Sequence, residues 1–157
     1  MAQDLELQDF LPYALNQAAE AASAGFRRVY KARYGMLRTE WRVLFHLGAC
    51  GPLTARAICD KAGLHKTKVS RAVQALEARR FLIRTPDTAD RRHEFLALTA
   101  AGRAAYRDLV AQAKAFDAML SAQFSESELS VLRDCLRRLA VAGPHVSTDL
   151  SARARRD

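Results

Sequence analysis

The stretch Lys66–Arg80 has two chemically different faces when it is placed on a helix. At 100° per residue, Ala72, Val73 and Leu76 fall within about 60° of Val69 and form an aliphatic face. The opposite side is small, hydroxylated, amidic and basic; it holds Thr67, Arg71, Gln74 and Ala78, flanked by Lys68 and Ser70. The pattern predicts a helix that buries one face and presents the other outward.

The outward face of this predicted helix has the chemistry of a surface that reads DNA. An arginine can pair with guanine and a glutamine with adenine, while Ser, Thr and Lys can hold phosphates or bases. No carboxylate occurs between Leu64 and Leu76, so nothing along that stretch repels a phosphate backbone. The alternative interpretation is an ordinary amphipathic helix whose basic face is only solvated.

The segments on either side predict a winged helix-turn-helix. Thr54 is expected to cap a short helix over Ala55–Ala62, and Gly63-Leu64 forms the turn into the second helix. After that helix, Phe81–Arg84 and His93–Leu98 suit extended strands. Because the residues between them are polar and form turns readily, the two strands predict a β-hairpin with a charged tip.

The tip of this hairpin is predicted to hold Asp90-Arg91-Arg92. An arginine on a narrow wing can enter a minor groove, where the negative potential attracts it. A neighbouring aspartate can orient an arginine through a bidentate pair. The alternative is a solvated turn whose charges bind nothing.

Long amphipathic helices are predicted at both ends of the chain. Apolar residues recur at helical spacing in the stripes Leu11–Phe26, Leu109–Leu120 and Leu129–Leu139. Thr99 is expected to cap the helix that carries the middle stripe. Because the three stripes exceed what one small winged-helix core can cover, they predict an obligate homodimer.

Capping residues and helix breakers divide the chain into four parts. A second helix is expected to begin at Thr39 and to end at Gly51-Pro52. Ser125 and Glu128 form a capping box for the last helix, which Gly143-Pro144 is expected to end. The predicted parts are an N-terminal dimerisation helix (1–36), the winged helix-turn-helix (37–98), C-terminal dimerisation helices (99–142) and a mobile tail (143–157).

Charge and composition favour a cytoplasmic protein that binds a polyanion. Residues 27–53 and 54–95 each carry a net charge of +5, whereas residues 1–26 carry −4. Half of the residues are hydrophobic, which predicts a packed core. No run approaches the roughly 20 apolar residues of a membrane span, so no membrane partner is expected. The first ten residues are acidic, the opposite of a signal or transit peptide.

Several blocks of this sequence resemble the multiple antibiotic resistance regulator (MarR) family in their order and spacing. They are Thr39-Glu40-Trp41-Arg42-Val43-Leu44, Gly51-Pro52-Leu53-Thr54, Lys66-Thr67-Lys68-Val69-Ser70-Arg71-Ala72-Val73, Leu76-Glu77, Asp90-Arg91-Arg92 and Leu98-Thr99-Ala100-Ala101-Gly102-Arg103. The resemblance as a whole covers roughly residues 10–140. Two positions depart from the family pattern: His65 stands where Asp, Ser or Asn is common, and Arg79-Arg80-Phe81 replaces a pattern that contains Gly.

The resemblance implies a mainly α-helical fold with a small β-hairpin wing, in which long terminal helices form a homodimer. It implies a transcriptional regulator, interpreted as a repressor, that binds a palindromic operator in double-stranded DNA. The two recognition helices would lie about 34 Å apart and enter successive major grooves. Many relatives release DNA on binding a small phenolic or carboxylate ligand, so an aromatic acid or phenol is the expected effector. The alternative is an architectural DNA-binding protein without an effector.

The residues expected to contact DNA lie on the helix-turn-helix and the wing: Thr54, Lys66, Thr67, Lys68, Ser70, Arg71, Gln74, Arg84, Arg91 and Arg92. The residues expected near the effector are aromatic or basic: Tyr13, Arg27, Tyr30, Trp41, Arg42 and His46. Aromatic walls with one arginine would suit an aromatic acid. The alternative is that Tyr13, Tyr30 and Trp41 belong to the core and that Arg27 and Arg28 are solvated.

No catalytic site, metal or cofactor is predicted. The chain contains no Gly-rich phosphate loop, paired carboxylates or nucleophile next to a base, which argues against an enzyme. His46 and Cys50 have a spacing that can hold a metal, but no second histidine is nearby in the sequence. Cys50 or Cys59 could form a redox switch, whereas Cys135 is assigned to the core. Three cysteines do not make a disulfide framework.

Overall fold

The computed structural model describes residues 5–86 and 94–153, with side chains up to residue 142. Its elements are α1 (Leu11–Tyr34), α2 (Arg38–Cys50), β1 (Leu53–Thr54), α3 (Ala55–Ala62), α4 (Lys66–Ala78), β2 (Leu82–Pro86), β3 (Glu94–Leu98), α5 (Ala100–Ser121) and α6 (Glu126–Arg153). Two compact units divide the chain, Met1–Phe116 and Asp117–Asp157. The first unit contains the elements from α1 to β3 and most of α5.

The helix-turn-helix forms as predicted, and its caps explain where its helices begin. The Thr54 hydroxyl accepts a hydrogen bond from the Ala57 N–H at 3.1 Å, which confirms the predicted cap of α3. Gly63 turns the chain with φ of +58°, a left-handed conformation that glycine adopts without steric cost. His65 caps α4, because its Nδ1 accepts a hydrogen bond from the Thr67 N–H at 3.4 Å.

The wing belongs to a three-stranded antiparallel sheet in the order β1-β3-β2. The predicted hairpin is confirmed, with Leu82 opposite Leu98. Strand β1 was not predicted, because its two residues are too few to show a period; it pairs Leu53 with Leu96. The predicted tip, Asp90-Arg91-Arg92, lies outside the described residues.

A hydrophobic core fills the first unit. Its fully buried side chains come from both helices and strands and include Met36, Val43, Leu44, Ile58, Leu76, Leu82, Leu96 and Leu109. Phe26 is also buried in this core. Phe26 and Leu109 were assigned to apolar stripes that a second chain would cover, but their own unit already buries them.

The start of α2 differs from the prediction. Leu37, not Thr39, is the residue that precedes the helix, and Thr39 lies in its first turn. The Glu40 carboxylate accepts a hydrogen bond from the Leu37 N–H at 3.1 Å. A carboxylate in the first turn thus satisfies the helix terminus from inside the helix, so a hydroxyl cap is not needed.

The predicted N-terminal caps of α5 and α6 are both present in the structure. The Thr99 hydroxyl accepts a hydrogen bond from the Gly102 N–H at 3.0 Å, which confirms the cap of α5. The Ser125–Glu128 capping box is also confirmed, since Glu128 accepts from the Ser125 N–H at 2.8 Å. These hydrogen bonds lower the pKa of the Glu128 carboxyl.

The predicted end of α6 at Gly143-Pro144 is wrong, because the helix continues to Arg153. A proline in a helix interior removes one backbone hydrogen bond and bends the helix. In a helix of 28 residues, the remaining hydrogen bonds can carry the chain past that position.

Candidate nucleic-acid interface

The two faces of α4 lie as the sequence predicts. Val69, Ala72, Val73 and Leu76 are at most 3% exposed and pack into the core. The exposed side chains of the helix are Lys66, Thr67, Lys68, Ser70, Arg71, Gln74 and Ala78. One rigid helix therefore presents a continuous hydroxylated, amidic and basic surface to solvent.

The exposed face of α4 carries no carboxylate that would repel an anion. The only carboxylate of the helix, Glu77, lies at its C-terminal end and accepts a hydrogen bond from Arg84 Nε at 3.2 Å. At the other end, the helix N-terminus carries the positive end of the helix dipole. Both arrangements favour an anion near the first turns of α4.

Arg84, one of the residues predicted to contact DNA, forms ion pairs with two carboxylates. Its guanidinium lies between two carboxylates, with Nε 3.2 Å from Glu77 Oε2 and Nη1 3.1 Å from Glu94 Oε2. These hydrogen bonds raise the pKa of Arg84 and compensate its charge. Arg84 therefore links β2 to α4 and β3, with 37% of its side chain still exposed.

Two aromatic residues predicted to line an effector pocket belong to the core instead. Tyr30 is 2% exposed and stacks on Trp41, with ring centroids 6.2 Å apart and an interplanar angle of 17°. Phe26 packs edge-on against both rings. Burial raises the pKa of the Tyr30 hydroxyl. The cluster joins α1 to α2, which is the core alternative that the sequence left open.

The remaining predicted effector residues lie on two helices: Tyr13 and Arg27 on α1, and Arg42 and His46 one turn apart on α2. Arg27 Nη2 lies 3.5 Å from Glu20 Oε2 on the surface, and the Tyr13 hydroxyl accepts a hydrogen bond from Gln17 at 2.8 Å. Arg42 donates a hydrogen bond to the carbonyl of Ala62, the last residue of α3. The contacts of Arg27 and Tyr13 lie within α1, whereas the contact of Arg42 links α2 to α3.

His46 is half-buried beside two cations. Burial, with added repulsion from Arg42 and Lys61, lowers the pKa of the imidazole below its ordinary value of 6.5. The unfolded chain therefore binds a proton at a higher pH than the folded chain does, and folding stability falls as pH drops through this range.

We expect the free energy of unfolding of His46→Gln to depend less on pH than that of the wild type between pH 7.5 and 5.5. A glutamine does not titrate, so the proton that His46 takes up on unfolding no longer contributes to the pH dependence of the free energy of unfolding. Urea denaturation at several pH values measures the two slopes. Equal slopes would show that burial of His46 does not disfavour its charged form.

A cleft of about 350 Å³ lies between the end of α2, β3 and the start of α5. The ring of Tyr106 forms one wall of the cleft and packs against the backbone of Gly48. A Cβ atom at position 48 would come within 2.3 Å of this ring, so only glycine fits. Arg103 and Arg107 also line the cleft. Arg103 Nη1 donates a hydrogen bond to the Leu98 carbonyl at 2.7 Å, which ties α5 to the base of the wing.

The cleft combines an apolar floor with positive charge. Its lining contains two guanidiniums and no carboxylate, together with apolar residues from α2 and β3. None of the six residues predicted near an effector lines it. The spacing of Arg103, Tyr106 and Arg107 places them on one helix face and could have indicated this site. The contact between the Tyr106 ring and Gly48 could not be predicted from the spacing.

Cysteine positions bear on the redox and metal alternatives. Cys50 and Cys135 are exposed, and Cys59 is half-buried. The assignment of Cys135 to the core is wrong, because the second unit by itself leaves one side of α6 uncovered. Within residues 5–86 and 94–142, no three His, Cys, Asp or Glu side chains gather into a metal-binding group. The described helices also include none that is long and apolar enough to cross a bilayer.

Comparison with known proteins places this architecture. Residues 34–93 match the family model described as the MarR family. The chain is similar to an uncharacterized HTH-type transcriptional regulator, YwaE, of Bacillus subtilis, at 28% identity over 107 residues. That match covers 68% of this chain and spans 63% of the Bacillus protein.

Two further proteins are similar over almost the whole chain. The homoprotocatechuate degradative operon repressor of Escherichia coli is 24% identical over 144 residues, which is 92% of this chain and 97% of that protein. The crystal structure of a MarR/EmrR family transcriptional regulator from Acinetobacter superposes with a TM-score of 0.82 at 24% identity. It covers 90% of this chain and 99% of its own.

The fold is therefore a winged helix-turn-helix with long flanking helices. Residues 34–93 therefore match the MarR family, and the chain is similar to transcriptional regulators over most of its length.

Proposed function

We propose that this protein is a dimeric repressor that binds a palindromic DNA operator through α4 and the wing and is released by a small aromatic acid. The observation that carries the proposal is the exposed face of α4, where hydroxyl, amide and basic side chains lie together. The opposite face of the same helix is buried in the core. Arg71 lies at the centre of the exposed face, with Thr67 one turn before it and Gln74 about one turn after it. These side chains can reach base edges in a major groove, while Lys66 and Lys68 neutralise phosphates.

DNA binding of this kind depends strongly on salt. Each phosphate that a Lys or Arg neutralises releases counterions, so affinity for any duplex should fall about a hundredfold or more between 50 and 200 mM salt. Fluorescence anisotropy with a labelled random duplex measures this slope. A chain that does not bind duplex DNA at 50 mM salt would contradict the proposal.

The second copy of the chain is proposed to cover the apolar side of α6. Leu132 is 40% exposed, Leu136 44% and Val131 63%. With Phe124 and Cys135, Val131 and Leu132 line a groove of about 490 Å³ in the second unit. An exposed patch of this kind is unusual on a monomer, and a two-fold partner would bury the same patch on both chains. The resulting symmetry is the one that a palindromic operator requires.

The cleft beside Tyr106 is the proposed effector site in place of the six residues first considered. An aromatic carboxylate would place its ring against Tyr106 and its charge near Arg103 and Arg107. The lining includes Leu98 at the base of the wing and Leu47 at the end of α2, so a bound ligand would touch the elements that hold the DNA-binding module. The name of the Escherichia coli relative supports the repressor role and the aromatic class of effector.

We expect Arg107→Gln to bind 3,4-dihydroxyphenylacetate or benzoate about tenfold or more weakly than the wild type, because a hydrogen bond to a charged group contributes about 1.5–3 kcal/mol. Isothermal titration without DNA measures this affinity, and anisotropy with DNA measures release. Arg28→Gln, which changes an exposed arginine of α1 outside the cleft, is the matched control. Equal affinities of Arg107→Gln and the wild type would remove the cleft as the site, whereas DNA binding that no aromatic acid changes would favour the effector-independent alternative.

A further inference from the structure

One guanidinium at the end of α4 contacts two other helices. Arg79 directly follows α4. Its Nη1 donates a hydrogen bond to Glu40 Oε2 at 2.5 Å, and its Nη2 donates to the Gly35 carbonyl at 2.9 Å. Gly35 ends α1 with φ of +60°, and Glu40 lies in the first turn of α2. The ends of three helices therefore meet at Arg79.

Glu40 is the unusual member of this group. It is 5% exposed and is the only charged residue buried among the described residues. Its carboxylate has two donors, the Arg79 guanidinium and the Leu37 N–H. Replacing such a buried pair with apolar side chains often costs no stability, so a buried pair is better explained by the geometry it specifies than by the stability it adds.

The same corner is attached to α5. Tyr34, the last residue of α1, donates its hydroxyl hydrogen bond to Asp108 at 2.8 Å, and Arg33 makes a bidentate pair with that carboxylate at 2.7 and 2.8 Å. The Tyr34 ring also packs edge-on against Phe81, two residues after Arg79, with centroids 5.9 Å apart. The end of α4 is thus held relative to α1 and α5 at once.

The contacts of Arg79 add direction to the apolar contacts that hold the buried face of α4. Hydrophobic burial of Val69, Val73 and Leu76 is non-directional and tolerates small rotations or shifts of the helix. Two hydrogen bonds from one planar guanidinium fix both distance and angle at the end of the helix.

We propose that Arg79 and Glu40 are positioning residues that set the angle at which α4 presents Arg71 to DNA relative to α1. This rests on the proposed function, in which a two-fold dimer places two copies of α4 on DNA. In such a dimer, a small rotation of α4 changes the distance between the two recognition surfaces, so the pair should control which half-site spacing is bound best.

The test compares DNA spacings. A duplex selected by the wild type is made in three forms, with its centre unchanged, lengthened by one base pair or shortened by one. We expect the wild type to bind the altered spacings at least about tenfold more weakly. We expect Arg79→Gln, and the uncharged pair Glu40→Gln with Arg79→Gln, to bind the three duplexes within about threefold of one another.

The ratio of affinities separates positioning from folding, because loss of folded protein lowers all three affinities equally. Arg79→Lys keeps the charge but cannot reproduce the planar two-bond contact, so its spacing preference should be intermediate. Arg133→Gln, which breaks an exposed ion pair with Asp117, is the control and should keep the wild-type ratio. A wild-type ratio in Arg79→Gln would overturn the positioning role alone, whereas a wild type without preference for any duplex would overturn the proposed function.

Discussion

Arg71→Ala is expected to lose the preference for operator over random DNA. Arg71 is exposed at the centre of the outward face of α4, whose opposite face is fixed in the core. One bidentate contact between an arginine and guanine discriminates against the wrong base by about 1–3 kcal/mol, which is about ten- to a hundredfold in affinity. Anisotropy with a selected duplex and a random duplex, at one fixed salt concentration, gives both affinities.

Two comparisons make this result specific to base recognition. Lys68→Ala should weaken both duplexes by a similar factor, because a phosphate contact carries no sequence information. Arg138→Ala, at an exposed position of α6, should change neither. An unchanged operator preference in Arg71→Ala would mean that another face of the protein reads the bases.

Leu132→Asp is expected to convert the dimer into a monomer that remains folded. In one chain by itself Leu132 is 40% exposed, so a carboxylate there can stay hydrated. In the proposed dimer the same carboxylate would be buried without a partner, at a cost of about 1–3 kcal/mol or more in each chain. Sedimentation at micromolar concentration measures the mass, and circular dichroism measures the folded state.

Ser130→Asp adds the same charge two residues earlier, at an exposed position on a different side of α6, and should remain a dimer. The monomeric Leu132→Asp protein should also bind operator DNA much more weakly, since it loses the second half-site. If Leu132→Asp sediments as a folded dimer with unchanged DNA affinity, the α6 groove does not lie in the interface.

Local patterns in the sequence predicted the elements of the DNA-binding module because their causes are local. The faces of α4 follow from a period of 3.6 residues, and the caps at Thr54 and Thr99 act within three residues of themselves. The hairpin follows from turn-forming residues between two short apolar runs. None of these requires knowledge of what packs against the segment.

The contacts that the sequence did not predict join residues far apart in the chain. Arg79 and Glu40 are separated by 39 residues, and Asp108 and Tyr34 by 74. The ion pair of Arg84 with Glu94 was not predicted either, because it depends on the register of the two strands of the hairpin. Tyr30 and Trp41 are aromatic whether they line a pocket or fill a core, and only tertiary packing decides between the two.

The central claim is that two copies of α4, related by a two-fold axis, read the operator. Selection of duplexes from a random pool by the wild-type protein, followed by sequencing, tests it most directly. The account predicts an inverted repeat whose half-sites are about 10–10.5 base pairs apart, centre to centre, with a guanine at the position that Arg71→Ala no longer distinguishes. Enrichment of a single asymmetric site, or of no sequence at all, would contradict it.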